Sequence, residues 1–290
     1  MQSFRERLAS PQPLLMDGAL GTELQRRGLD LSAPSWTALA NRDAAEQIVQ
    51  IHCEYVRAGS ELLTANTFRC HARNVGHDPS LAQELVQQAI ELARRAAGPD
   101  TFIAGSQAPL EDCYSPALAP ATPALEREHG QMAEGLADAG VDLILVETQN
   151  NIREAVVATR AALATGLPVI TSLICDRTTK LLSGEFLATA VRQIGALEPA
   201  AVLVNCLPPA AVMPALHTIR GHFSGPRGAF ANTGYLNTES QWVATDATEP
   251  SCYAQSAVAW RDDGAVLLGG CCGTTPGHIA ALHSALHAAR

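Results

Sequence analysis

Eight short apolar runs, separated by amphipathic stretches along nearly the whole chain, constrain the fold more than any other feature. They are Leu14–Asp17, Glu61–Asn66, Phe102–Ser106, Leu143–Glu147, Val169–Ile174, Ala201–Cys206, Gly228–Ala231 and Ala265–Gly269. Each is almost continuously apolar and bounded by glycine, proline or polar residues, the pattern of a strand buried on both faces of a parallel sheet. Between them, Ala44 to Ala58 places Ile48, Ile51, His52 and Tyr55 on one helical face. Leu81 to Ala97 and Arg153 to Thr165 carry similar stripes, and Gly59, Gly98, Gly140 and Gly166 stand where helix C-caps want glycine. Eight strand–helix units in 290 residues predict an α/β fold, a single-domain (β/α)8 TIM-type barrel over residues 1–290. A doubly wound sheet is the rival topology. No Pro/Gly/Ser-rich linker divides the chain.

Composition narrows the class of partner. Apolar residues make up 47% and charged residues 17%, and the net charge is −9, which disfavours nucleic acid. The start, Met1 to Arg7, lacks the apolar core of a signal peptide, and no run reaches transmembrane length. The expectation is a cytoplasmic protein without a membrane partner, a monomer or small homo-oligomer, whose eight cysteines stay reduced.

A barrel of this kind gathers its chemistry where strands end and the following loops begin. Asp17, Asn66, Thr67, Glu147, Cys206, Asn232, Cys271 and Cys272 all fall at or just past predicted strand ends. Cys206 alone reads as a buried structural thiol. Cys271-Cys272 does not, because neighbours in an extended chain point to opposite sides and a disulfide between them is strained. The flanking Gly269, Gly270 and Gly273 let both sulfurs turn toward one ion. With Cys206 they form a three-thiolate zinc site with room for one more ligand. Zinc binds thiolates, so a substrate thiol in the fourth position would ionise near neutral pH. Zinc hydrolysis is disfavoured, because no His-Glu-x-x-His is present.

The remaining polar residues have two readings each. Asp17, with Gly18 and Gly21 after it, either caps the following helix or holds a substrate ammonium. Glu147 closes the most apolar run, where a carboxylate needs a partner, either a structural cation or a substrate ammonium. Asn66 and Thr67 suit a carboxylate or loop hydrogen bonds, and Asn232 is similar. Cys70 and Cys175 lie near strand ends without a matching partner, while Cys53, Cys113 and Cys252 read as packing or loop residues. No phosphate-cradling glycine loop is present.

Five motifs in order carry a resemblance: Met16-Asp17-Gly18-Ala19-Leu20-Gly21-Thr22-Glu23-Leu24, Ala65-Asn66-Thr67-Phe68, Val146-Glu147-Thr148, Val204-Asn205-Cys206 and Gly269-Gly270-Cys271-Cys272-Gly273-Thr274-Thr275-Pro276. Together they are similar to the homocysteine S-methyltransferase family, over residues 16 to 276. The resemblance implies a zinc-bearing barrel that methylates homocysteine to methionine, with Cys206, Cys271 and Cys272 as zinc ligands. It implies that Asp17 and Glu147 hold the amino acid's ammonium, that Gly18 and Thr67 lie near its carboxylate, and that Asn232 stands close to the metal. Three places depart from the family's pattern. Gly105-Ser106-Gln107-Ala108-Pro109-Leu110 stands where relatives carry a Gly-Pro pair, Ala231 replaces a proline, and Thr148-Gln149-Asn150-Asn151 is unusually polar.

Only about a dozen residues follow the last motif, too few for folate or cobalamin modules, so a small sulfonium donor is expected, S-methylmethionine or S-adenosylmethionine. A sulfonium is a fixed cation that suits aromatic faces, and Trp36, Phe68, Tyr114, Tyr235 and Trp242 fall in predicted loops. The alternatives are another thiol acceptor, a corrinoid protein as methyl donor, or a non-catalytic zinc or thiol-ligand binding protein.

Overall fold

In the computed structural model, which describes residues 2–32, 35–237, 239 and 241–287, the eight predicted strands form one parallel sheet. Met1 and residues 288–290, included in the expected domain, lie outside the described residues. In chain order the strands are β1 (Leu14–Leu15), β2 (Leu62–Ala65), β3 (Phe102–Gln107), β4 (Leu143–Gln149), β5 (Val169–Leu173), β6 (Ala201–Asn205) and β7 (Arg227–Ala231). An antiparallel hairpin, β8 (Gly234–Leu236) and β9 (Trp242–Ala244), intervenes before β10 (Leu267–Gly270). The sheet runs β1-β10-β7-β6-β5-β4-β3-β2, and Met16 bridges Leu62 in parallel to close it into a barrel. The Glu61 N–H to Leu15 carbonyl bond, 2.8 Å, and the Asp17 N–H to Leu62 carbonyl bond, 2.9 Å, complete that seam. The rival doubly wound sheet is excluded by this closure.

Side chains alternate along each strand. Leu15, Leu63, Ile103, Ile144, Val146, Val202, Val204 and Leu268 face the surrounding helices, while Leu14, Leu62, Ala104, Leu145, Ile170, Leu203 and Phe230 fill the barrel. Two residues further along, the inward positions turn polar: Thr64, Ser106, Glu147, Ser172 and Asn205, all buried or half-buried. The interior is thus apolar at the N-terminal end and polar at the C-terminal end, where the chemistry must lie.

The N-terminal end is plugged by a short helix, Phe4–Leu8, which the sequence reading did not assign. Ser3 and Glu6 form a capping box on it, and Phe4 stands edge-on to Phe102 at 5.4 Å. The three amphipathic stretches form helices at Ala45–Arg57, Pro79–Ala96 and Ile152–Ala164. Gly59, Gly140 and Gly166 adopt positive φ as their cap positions require. Gly98 does not: that helix ends through extended Ala97, and Thr101 Oγ1 accepts the Gly98 N–H at 3.2 Å. Among the described residues no helix is long and apolar enough to cross a membrane.

Candidate active site

The three cysteines meet at the C-terminal end of the barrel. Cys206 follows β6 and takes φ +57°, a left-handed backbone that costs a non-glycine residue on the order of 1 kcal/mol. Cys271 and Cys272 follow β10, and Gly273 at φ +83° completes the bend. The three sulfurs lie within 4.8 Å of one another, with Cys206 Sγ 2.9 Å from Cys271 Sγ. The bend is anchored on both sides. Cys271 N–H donates to the Ala231 carbonyl at 2.8 Å, Thr233 N–H to the Cys272 carbonyl at 3.0 Å, and Gly273 N–H to Thr22 Oγ1 at 3.1 Å. The Cys206 and Cys271 thiols hydrogen-bond to Cys272 and lower its pKa, whereas the Cys206 and Cys271 thiols are held above the usual range by the neighbouring sulfurs and by burial.

This donor set fits a soft metal ion, because three convergent thiols around one point have no use in apolar packing. Asn232, one residue beyond β7 and beside the Cys271–Cys272 peptide, is buried, and its Oδ1 has no hydrogen-bond partner. That oxygen is a buried acceptor between Ala231 and Thr233, the two residues bonded to the Cys271–Cys272 segment. Cys206, Cys271 and Cys272 are the residues that could hold a metal ion among the described residues.

Two carboxylates face the same space. Asp17 is 4% exposed and accepts from Thr64 twice, from its N–H at 2.8 Å and its hydroxyl at 3.0 Å. Burial pushes its pKa up to about 8, against those two hydrogen bonds, and nearby Glu147 adds to the rise. Glu147 is 7% exposed and accepts from Ser106 Oγ. Burial raises it to about 7, with a contribution from Cys272. No cationic side chain acts on either group, so the structural ion pair that would satisfy Glu147 is absent among the described residues. Two buried carboxylates without a cation leave room for a positively charged ligand group.

Glu147 was expected to end its strand, but β4 continues through Thr148 and Gln149 over a bulge opposite β5. Thr148 takes φ +57° there. The fixed point is Asn205, beside Cys206, whose side chain bonds Thr148 and Ser172. Asn205, Thr64 and Ser106 were not picked out as site residues from the sequence. Their signal is the period of two: each is the first polar residue at an inward position of its strand.

The structure separates the other expected residues. Gly18 lines the cavity, and a Cβ there would stand 2.8 Å from Thr274 Oγ1 and from the Tyr55 ring. Asn66 lines it too, but its amide nitrogen is committed to the Thr37 carbonyl at 2.8 Å and Asn41 Oδ1 at 2.7 Å. Thr67 is fully buried and donates to the Ser106 carbonyl at 2.8 Å, so its hydroxyl braces β2 against β3 rather than lining the cavity. The cavity, about 460 Å³, runs from the cysteines past Asp17 and Glu147 to Trp36, Phe68, Arg69 and Tyr114. Cys113, read as a packing or loop residue, is buried on the loop after β3 and also lies in the cavity wall. Tyr235 and Trp242 were expected in loops and lie instead on β8 and β9, and neither is among the residues lining the cavity.

Known proteins are similar to this chain over nearly its whole length. The family described as homocysteine S-methyltransferase matches residues 14–286. The homocysteine S-methyltransferase of Escherichia coli K12 is 29% identical over 300 residues, covering 93% of this chain and 94% of that protein. Homocysteine S-methyltransferase 2 of Zea mays is 26% identical over 311 residues, covering 94% and 90%. The crystal structure of the metallated form of the E. coli homocysteine methyltransferase MmuM superposes with a TM-score of 0.81 at 26% identity, over 96% of this chain and 97% of that one. A closed barrel carrying three convergent thiols, matched from its first strand to its last helix, places this methyltransferase in the homocysteine S-methyltransferase family.

Proposed function

We propose that the protein converts homocysteine to methionine with a free sulfonium, S-methylmethionine or S-adenosylmethionine, as methyl donor, and that Cys206, Cys271 and Cys272 hold zinc. The observation that carries this reading is the pairing, in one cavity, of a three-sulfur cluster with two buried carboxylates that lack a cation. A zinc ion bound there would favour the thiolate form of a substrate thiol near neutral pH. Asp17 and Glu147 take the ammonium of homocysteine, Thr64 and Ser106 fix the two carboxylates, and the missing Cβ at Gly18 leaves the loop packed on Tyr55 and Thr274.

Methyl transfer from a sulfonium to a thiolate forms one carbon–sulfur bond as it breaks another, and it annihilates a pair of opposite charges. A dry, aromatic-walled cavity favours such a step, because water stabilises the separated charges more than the transition state. Trp36, Phe68 and Tyr114 line the cavity, and holding both substrates there would bring the two sulfurs into line with the methyl carbon between them.

The test is methionine formation by reduced, zinc-loaded protein given homocysteine with either sulfonium. Turnover with at least one donor, abolished by a chelator and restored by zinc, is the expected result. Zinc-replete protein that forms no methionine from either donor would overturn the reading.

A further inference from the structure

The cavity carries a charge to which the acceptor reading above gives no role. Among the described residues lining it, Arg69 is the one cation. It lies three residues past Asn66 on the loop after β2, half-buried, with its guanidinium carbon 5.5 Å from the centre of the Phe68 ring. One of its nitrogens, Nη1, donates to the Glu111 carbonyl at 3.0 Å. The acidic side chains of the adjoining loop are engaged elsewhere: Glu111 pairs with Arg73 at 2.7 Å, and Asp112 accepts from Tyr114 N–H at 3.1 Å and Ser115 Oγ at 2.8 Å. Arg69 forms no ion pair with a carboxylate among the described residues. A guanidinium in a ligand cavity with its planar fork open is suited to a carboxylate from the ligand.

Position decides which ligand. Asp17 and Glu147 are buried at the strand ends, so the acceptor's ammonium lies on the floor, next to the sulfurs. Arg69 and Asp112 stand on loops beyond the strands, at the rim. A donor entering above the acceptor must point its sulfonium down toward the sulfur cluster, leaving its other end at the rim. We propose that Arg69 is the carboxylate anchor of the donor subsite, so that the donor is a sulfonium bearing its own α-carboxylate. Phe68 packs under the guanidinium, 5.5 Å from its carbon to the ring centre. This assignment rests on the methyl-transfer reading for the identity of the floor ligand. Arg69 is a specificity-determining residue, not a group that touches the transferred methyl.

The experiment is calorimetric binding of S-methylmethionine and of its carboxylate-free analogue, (3-aminopropyl)dimethylsulfonium, to the reduced full chain, as wild type, Arg69→Met and Arg69→Lys. Methionine formation is followed in parallel. Loss of a charge-assisted pair predicts that Arg69→Met weakens S-methylmethionine about tenfold or more. The analogue should bind both proteins within about twofold, Arg69→Lys should recover part of the loss, and the KM for homocysteine should stay unchanged. Equal loss for the two sulfoniums, no loss for either, no binding of S-methylmethionine by wild type, or a loss confined to homocysteine would overturn the assignment. Arg69-dependent binding without methionine formation would support the anchor while removing the methyl-transfer reading, so the two fail separately.

Discussion

Asn205 grips Thr148 from both ends of its side-chain amide: Oδ1 accepts the Thr148 N–H at 3.0 Å and Nδ2 donates to the Thr148 hydroxyl at 2.8 Å. Thr148 is the residue after Glu147, and Asn205 the residue before Cys206. One amide therefore sets the distance between the carboxylate floor and the sulfur cluster, and it holds two left-handed backbones, at Thr148 and Cys206, in place.

Replacing Asn205 by alanine leaves the Thr148 N–H buried without a partner, which costs about 2 kcal/mol of stability. The expected result in urea denaturation is a lower midpoint at unchanged slope. Activity assays of the folded variant should show a raised KM for homocysteine together with weakened metal retention. A loss of stability with both functions intact would mean that the grip is purely structural.

The two carboxylates make stability depend on pH. Asp17 is raised to about 8 from 3.8 and Glu147 to about 7 from 4.5, so the folded chain keeps protons that the unfolded chain has already released. The stability these groups contribute is complete below about pH 4 and is lost as pH rises through 7 and 8. Ligand-free protein should therefore melt at a lower temperature at pH 8 than this contribution would allow at pH 6. Asp17→Asn, which still offers an acceptor to the Thr64 N–H, should flatten the slope. Methionine, whose ammonium needs both carboxylates ionised, should bind more tightly at pH 8 than at pH 6; a pH-independent affinity would count against the ammonium role.

Metal binding should fail one ligand at a time. Alanine at Cys206, Cys271 or Cys272 leaves two sulfurs, and stoichiometric metal retained after gel filtration should fall to roughly a tenth or less. Cys113→Ala, in the cavity wall but outside the cluster, should retain metal like wild type. Elemental analysis of the four variants distinguishes these outcomes.

Gly18→Ala tests the close approach of the first loop. The new methyl meets Thr274 Oγ1 and the Tyr55 ring at 2.8 Å, too near for contact without movement. Tyr55 is itself held by the Ala19 carbonyl at 3.0 Å, so the loop must shift. The expected cost is about 1–3 kcal/mol with a raised KM for homocysteine. An unchanged melting curve would show that the loop has slack.

Strands were readable because a strand buried on both faces is apolar along most of its length, and the eight runs satisfy that. Their ends were readable where a single polar residue stops the run, as at Asp17 and Cys206. Glu147 looked like such a stop and is not, because the next residue, Thr148, is satisfied by Asn205, a partner 57 positions away. The same physics hid the other half of the site. Thr64 and Ser106 look like ordinary small strand residues until the closed sheet shows which face is inside. Thr67 and Asn66 illustrate the converse: their types suit a ligand, but Ser106, Thr37 and Asn41 engage them first. The plug helix was written in Ser3 and Glu6, a cap three residues apart, and was missed because its five residues bury only Phe4 and Leu8.

That plug makes the cavity a cul-de-sac. With Phe4 and Leu8 sealing the far end of the barrel, molecules arrive and depart through one mouth. If the acceptor takes the floor and the donor the rim, as proposed, the acceptor is expected to be seated before the donor, and the methylated product to leave after the spent donor. On that reading, the closed end of the barrel opposite the chemistry imposes the kinetic order of the reaction.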